Sequence, residues 1–99
     1  TAIIDRADHV VFTGSTATGR TVAARAVERL IGASLELGGK NPMVVLDDAD
    51  LDRAVEGAIR GCFGNAGQLC VSLERIYVAR PVFDEFRARF VAATRAIAA

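Results

Sequence analysis

Three stretches with apolar residues at helical spacing alternate, along a chain of 99 residues, with four short β-type runs. Val10 to Phe12 reads as a compact strand that ends at Thr13-Gly14-Ser15. From Thr18 to Ile31, the residues Val22, Ala23, Ala26, Val27, Leu30 and Ile31 share one face while Arg20, Arg25, Glu28 and Arg29 take the other, which predicts a helix packed on a sheet and stopped by Gly32. Ser34 to Leu37 is a short strand broken by Gly38-Gly39. Two residues without Cβ let the chain redirect there, so this turn is the expected domain boundary. Met43-Val44-Val45-Leu46 is apolar without alternation and predicts a strand buried on both faces. Asp50 is the expected N-cap of a helix whose stripe is Leu51, Ala54, Val55, Ala58, Ile59, Cys62 and Phe63. Gly57, Gly61 and Gly64 are expected to weaken its far end by about 1 kcal/mol each relative to Ala. Arg75 to Ala79 follows as a strand, and Pro81 then opens a third helix with Phe83, Phe86 and Phe90 as its seam. The order strand, helix, strand, strand, helix, strand, helix predicts an α/β fold with crossover helices.

Charge and ligand counts exclude several function classes. Lys+Arg and Asp+Glu are 12 each, so no electrostatic footprint for nucleic acid or an anionic membrane surface exists, and neither is expected as a partner. No apolar run approaches the roughly 18 residues of a membrane span, and a soluble, cytoplasmic setting is expected. Two Cys and one His cannot supply the four N or S ligands of a structural zinc site, so no metal centre is expected and the thiols are read as reduced. At 52% apolar residues the chain is rich in surface to bury for its size. It opens at Thr1 and stops within a helical pattern at Ala99, and the expectation is a piece of a larger protein.

Three segments could carry chemistry. Gly14-Ser15-Thr16-Ala17-Thr18-Gly19 lies between a strand and a helix, where backbone N–H groups and the positive helix end could hold a phosphate. It is neither the GxGxxG fingerprint nor a Walker loop, and a Ser N-cap with glycines for the turn accounts for it equally. Glu36 stands between Leu35 and Leu37 at a strand end. Burial there would raise its pKa towards that of a base able to activate water, whereas an outward position or a pairing with Lys40 or an Arg would leave it an ordinary surface carboxylate. Gly64-Asn65-Ala66-Gly67-Gln68-Leu69-Cys70 brings a polar, Gly-rich loop to a thiol, the partly exposed setting in which nucleophilic cysteines occur. Cys62, among Ala58, Ile59 and Phe63, is the core cysteine of the two, and His9 is the entry residue of the first strand, a solvated or capped side chain.

Phe-Thr-Gly-Ser-Thr (12 to 16), Leu-Glu-Leu-Gly-Gly-Lys (35 to 40) and Gly-Gln-Leu-Cys (67 to 70), in that order, resemble the signatures of the aldehyde dehydrogenase superfamily. The 34 positions from Glu36 to Cys70 also match the separation of base and nucleophile in that family, and Asp-Ala-Asp-Leu-Asp (48 to 52) extends the likeness. The resemblance implies a fragment spanning the end of a Rossmann-like NAD(P)-binding domain, residues 1–37, and the start of an α/β catalytic domain, residues 38–99. It implies Cys70 as the nucleophile that forms a thiohemiacetal and then a thioester, and Glu36 as the base for the water that releases the acid. It further implies Gly14, Ser15 and Gly19 near the pyrophosphate of NAD or NADP, Thr13 near the nicotinamide, and the Leu37 carbonyl against that ring. Lys40 and Gln68 would order their loops, and no metal is needed.

By the same resemblance the whole enzyme is several times longer, is a homo-oligomer and acts on a small-molecule aldehyde. The 99-residue piece alone is expected to be inactive and poorly folded. Stretches 12 to 20 and 70 to 78 look most like members that oxidise succinate semialdehyde, yet Gly64 stands six positions before Cys70, where many of those carry an Arg for the substrate carboxylate. A CoA-acylating or phosphorylating relative is the rival among enzymes, and Glu36 argues against it because such enzymes often lack that carboxylate. A non-catalytic protein that kept the fold is the rival outside them, and the presence of both Glu36 and Cys70 argues against that.

Overall fold

A computed structural model describes residues 2–97 and shows an α/β chain of seven regular elements joined by short turns. The elements are β1 (His9–Gly14), α1 (Thr16–Glu28), β2 (Gly32–Leu37), β3 (Asn41–Val45), α2 (Leu51–Phe63), β4 (Leu73–Val78) and α3 (Phe83–Arg95). The chain divides into two compact units, Thr1–Gly39 and Lys40–Ala99, each a parallel strand pair joined by a crossover helix. No helix is long and apolar enough to cross a membrane among the described residues. The expected continuation of the last helical pattern falls, at positions 98 and 99, outside the described residues.

In the first unit β1 pairs with β2 from His9 opposite Gly32 to Gly14 opposite Leu37. Ser15 rather than Thr18 opens α1: its Oγ accepts from the Thr18 backbone N–H at 3.1 Å, so the helix begins two residues earlier than the apolar stripe suggests. The other end also differs from expectation. α1 stops at Glu28, Leu30 takes a left-handed φ of 56°, and Gly32 is already the first residue of β2. Val22 and Ala26 are buried as the stripe predicts; Val27 is exposed although it lies within α1, and Leu30 is 93% exposed because the helix ends before its periodicity does. Arg29 crosses back to donate to the Ile4 and Ala7 carbonyls at 2.5 and 2.6 Å, tying the N-terminal turn to α1.

In the second unit β3 pairs with β4, and α2 and α3 cover one face. Val45, Val55, Ala58 and Phe86 form the buried core, with Met43, Ile59, Ile76, Val78 and Phe90 packed around it. Asp50 caps α2 as expected, its Oδ1 accepting from the Asp52 and Arg53 N–H groups. Pro81 opens a short 3-10 turn, Arg80–Val82, and α3 proper starts at Phe83. Of the predicted Phe seam, Phe86 is buried and stacks on Phe90, while Phe83 lies exposed near the Arg87 guanidinium. The strand at Met43 is not buried on both faces. Val44 and its register partner Tyr77 are 64% and 54% exposed, so β3 and β4 alternate one covered face with one open face.

Candidate active site

The parallel register of the first unit brings most of its singled-out residues to one strand edge. Thr13 lies opposite Glu36 and Gly14 opposite Leu37, at the C-terminal ends of β1 and β2 where α/β sheets bind ligands. Thr13, Gly14, Ser15 and Glu36 are all exposed there. Leu35 and Leu37 are half-buried on either side of Glu36, so the carboxylate takes the outward position of an alternating strand rather than a buried one. Gly19 has a distinct local role. It is buried, and a Cβ on it would come 2.7 Å from Leu37 Cδ2, so any side chain there would displace the end of Leu37. His9 starts β1 and its Nε2 lies 3.1 Å from Ser34 Oγ, a surface contact across the strand pair.

The two thiols of the second unit are set apart by their surroundings. Cys62 is half-buried on α2, and burial pushes its thiol pKa above the ordinary value, which disfavours its thiolate. Cys70 is exposed on the loop between α2 and β4. That loop starts with a left-handed turn: Asn65, Ala66 and Gly67 have φ of 50°, 55° and 74°. Two consecutive non-glycine residues in this region store backbone strain, held by Asn65 Nδ2 donating to the Gln68 carbonyl and by the Gln68 N–H donating to the Asn65 carbonyl. At Gly67 a Cβ would sit 3.1 Å from the Cys62 carbonyl oxygen, a tight contact that together with the positive φ favours glycine there.

Beyond Gln68, Leu69 and Ser72 close a second turn around Cys70. The Leu69 N–H donates to Ser72 Oγ at 3.3 Å and the Ser72 N–H returns to the Leu69 carbonyl at 3.0 Å. Asn41, the first residue of β3, reaches across with Nδ2 to the carbonyls of Cys70 at 2.7 Å and Ser72 at 3.0 Å. Within the second unit Lys40 pairs with Glu74 on β4. Asn41 and Ser72 were not among the sequence candidates. The only trace of Asn41 in the pattern is a carboxamide placed before Pro42 at the mouth of an apolar strand. Among the described residues no group of three His, Cys, Asp or Glu side chains could hold a metal ion.

The chain thus carries an exposed carboxylate at a strand edge near a helix N-terminus and, on a separate loop, an exposed thiol. The pattern of the Aldehyde dehydrogenase family matches residues 3–99, and the chain belongs to that family. It is 62% identical over 90 residues to a Mycolicibacterium smegmatis protein named "Putative succinate-semialdehyde dehydrogenase", NADP(+)-type, covering 91% of this chain and 17% of that one. It is 48% identical over 90 residues to 2-hydroxymuconic semialdehyde dehydrogenase of Pseudomonas putida, covering 91% of this chain and 18% of the relative. Among solved structures, the NAD+ complex of aldehyde dehydrogenase from Bacillus cereus superposes with a TM-score of 0.92 at 36% identity, covering 98% of this chain and 20% of that one. The chain thus spans less than a fifth of the length of these two curated relatives.

Proposed function

We propose that this chain is the part of an NAD(P)-dependent aldehyde dehydrogenase that carries both its nucleophile, Cys70, and its water-activating base, Glu36. Residues 1–37 are then the end of the nucleotide-binding domain and residues 38–99 the start of the catalytic domain. The observation that carries the reading is the contrast between the thiols: in a chain of this family, Cys70 is exposed on a strained, tethered loop while Cys62 is half-buried with a raised pKa.

The end of β1 fits a dinucleotide. Thr13, Gly14 and Ser15 are exposed where the strand meets a 13-residue helix, and the first-turn N–H groups of such a helix favour phosphate oxygens. Gly14 and Ser15 would hold the pyrophosphate and Thr13 with the Leu37 carbonyl the nicotinamide, while Gly19, lacking a side chain, leaves the end of Leu37 in place. Bound NAD or NADP supplies a hydride acceptor for the carbon that Cys70 holds.

The Cys70 thiolate adds to the aldehyde carbonyl carbon, forming a C–S bond as the carbonyl electron pair moves to oxygen. Once that carbon has been oxidised, the thioester is open to water. Glu36 takes a proton from the water molecule, whose oxygen adds to the thioester carbon, and collapse expels the Cys70 thiolate and frees the carboxylic acid. Glu36 is exposed in this chain, so its role is supported by the family match and the motif around it rather than by burial. The substrate is a small aldehyde, with semialdehydes favoured by the relatives' names and Gly64 leaving the usual Arg contact absent. The whole enzyme is read as a cytoplasmic homo-oligomer. The test is Cys70→Ser in the complete protein that carries this segment, assayed by absorbance of reduced nicotinamide with a panel of aldehydes. Loss of turnover by about 1,000-fold or more supports the reading, and retained turnover overturns it.

A further inference from the structure

We propose that Asn41 is a positioning residue for the Cys70 thiol, an inference that rests on Cys70 being the nucleophile. The bonds that Leu69 and Ser72 exchange are internal to the turn, so they fix its shape without fixing its place. Asn41 does the second job. One carboxamide nitrogen donates to the carbonyl of Cys70 itself and to that of Ser72, two residues on, and thereby ties both sides of the turn to the start of β3.

The local fold explains why this residue can reach. The register shifts between Asn41, opposite Leu73, and Pro42, opposite Arg75, so β4 carries an extra residue at this point. The ladder is interrupted just where Asn41 stands, and Pro42, lacking an N–H, donates no bond to it there. Ser72, only 4% exposed, anchors the far side of the turn. Cys70 meanwhile stays exposed, so its sulfur is free while its backbone is held. Attack on a carbonyl carbon demands a defined sulfur position, and a displacement of about 1 Å costs on the order of 100-fold in rate.

The test compares Asn41→Ala and Asn41→Asp in the complete enzyme. Asp keeps the shape of Asn but presents oxygen where Nδ2 donates, so it separates a hydrogen-bonding role from simple packing. The expected result is a fall of about 10- to 100-fold in the pre-steady-state rate of reduced nicotinamide formation in both variants, with KM for the aldehyde changed less than about 3-fold and nucleotide affinity unchanged. If Asn41→Ala does not accumulate in folded form, Asn41→Gln, which keeps the carboxamide donor on a chain one methylene longer, should show an intermediate fall. A wild-type rate in Asn41→Asp, or a loss that appears wholly in nucleotide affinity, overturns the inference. Cys70→Ser run alongside keeps the two readings apart. Turnover by that variant refutes the nucleophile, whereas an inactive Cys70→Ser beside a fully active Asn41→Asp refutes only the role of Asn41.

Discussion

Two glycines of α2 should respond in opposite directions to the same substitution. Gly57 and Gly61 are one turn apart within the helix, and Ala at either site recovers about 1 kcal/mol of intrinsic helix propensity. At Gly57 nothing stands within 4 Å of the added methyl group, so Gly57→Ala should stabilise the helix by about 0.5–1 kcal/mol. At Gly61 the methyl would lie 2.5 Å from Leu73 Cδ1 and 2.7 Å from Leu73 Cγ. Rotation of the end of Leu73 relieves the first contact but not the second, since Cγ is bonded directly to Cβ. Either Leu73 changes its first rotamer or α2 moves off β4, and overpacking of this kind costs about 1–3 kcal/mol. The net expectation for Gly61→Ala is a loss of up to about 2 kcal/mol. Hydrogen exchange of the α2 amides in the complete protein, read by mass spectrometry, reports the opening free energy of that helix directly. Repeating both changes in a Leu73→Ala background removes the obstructing atoms, and there Gly61→Ala should stabilise as Gly57→Ala does. Equal protection gains for the two substitutions with Leu73 present, or a Gly61→Ala penalty that survives Leu73→Ala, would refute the reasoning.

Asp50→Ala removes the acceptor of two N–H groups at the start of α2 and should cost about 1 kcal/mol, seen as faster exchange of the first-turn amides. Iodoacetamide near neutral pH should label Cys70 well before Cys62. Burial raises the Cys62 pKa, so its thiolate forms only as pH climbs past the ordinary thiol range, and peptide mapping across a pH series reads the order. The same shift means the folded state holds the Cys62 proton longer than the unfolded one, so stability falls as pH rises through that window, and Cys62→Ala abolishes this slope at a packing cost of about 1 kcal/mol. Glu36→Gln in the complete enzyme should leave formation of the first equivalent of reduced nicotinamide intact and slow release of the acid, and intact-mass measurement should find the acyl group on Cys70.

The helices and strands were legible because their signals are local. Asp50 before the stripe from Leu51 to Phe63 gave both the cap and the length of α2, since a capping carboxylate and a 3.6-residue period are properties of adjacent residues. The thiol contrast was legible for the same reason: Cys62 belongs to an apolar stripe and Cys70 to a Gly-rich turn. Errors arose where the outcome depends on partners distant in the chain. Val44 and Leu46 read as buried with Val45, yet among the described residues of the second unit α2 and α3 cover one face of the β3–β4 pair and leave Val44 and Leu46 exposed. A continuous apolar run states that both faces of a strand can be covered without stating what covers them. Gly61 read like Gly57, a helix weakener, because the identity of its neighbour, Leu73, is set by the crossover and not by spacing. Asn41 escaped notice on the same physical ground: a carboxamide that binds carbonyls about thirty residues away has no periodicity to betray it, so its role exists only once β3 and β4 are side by side.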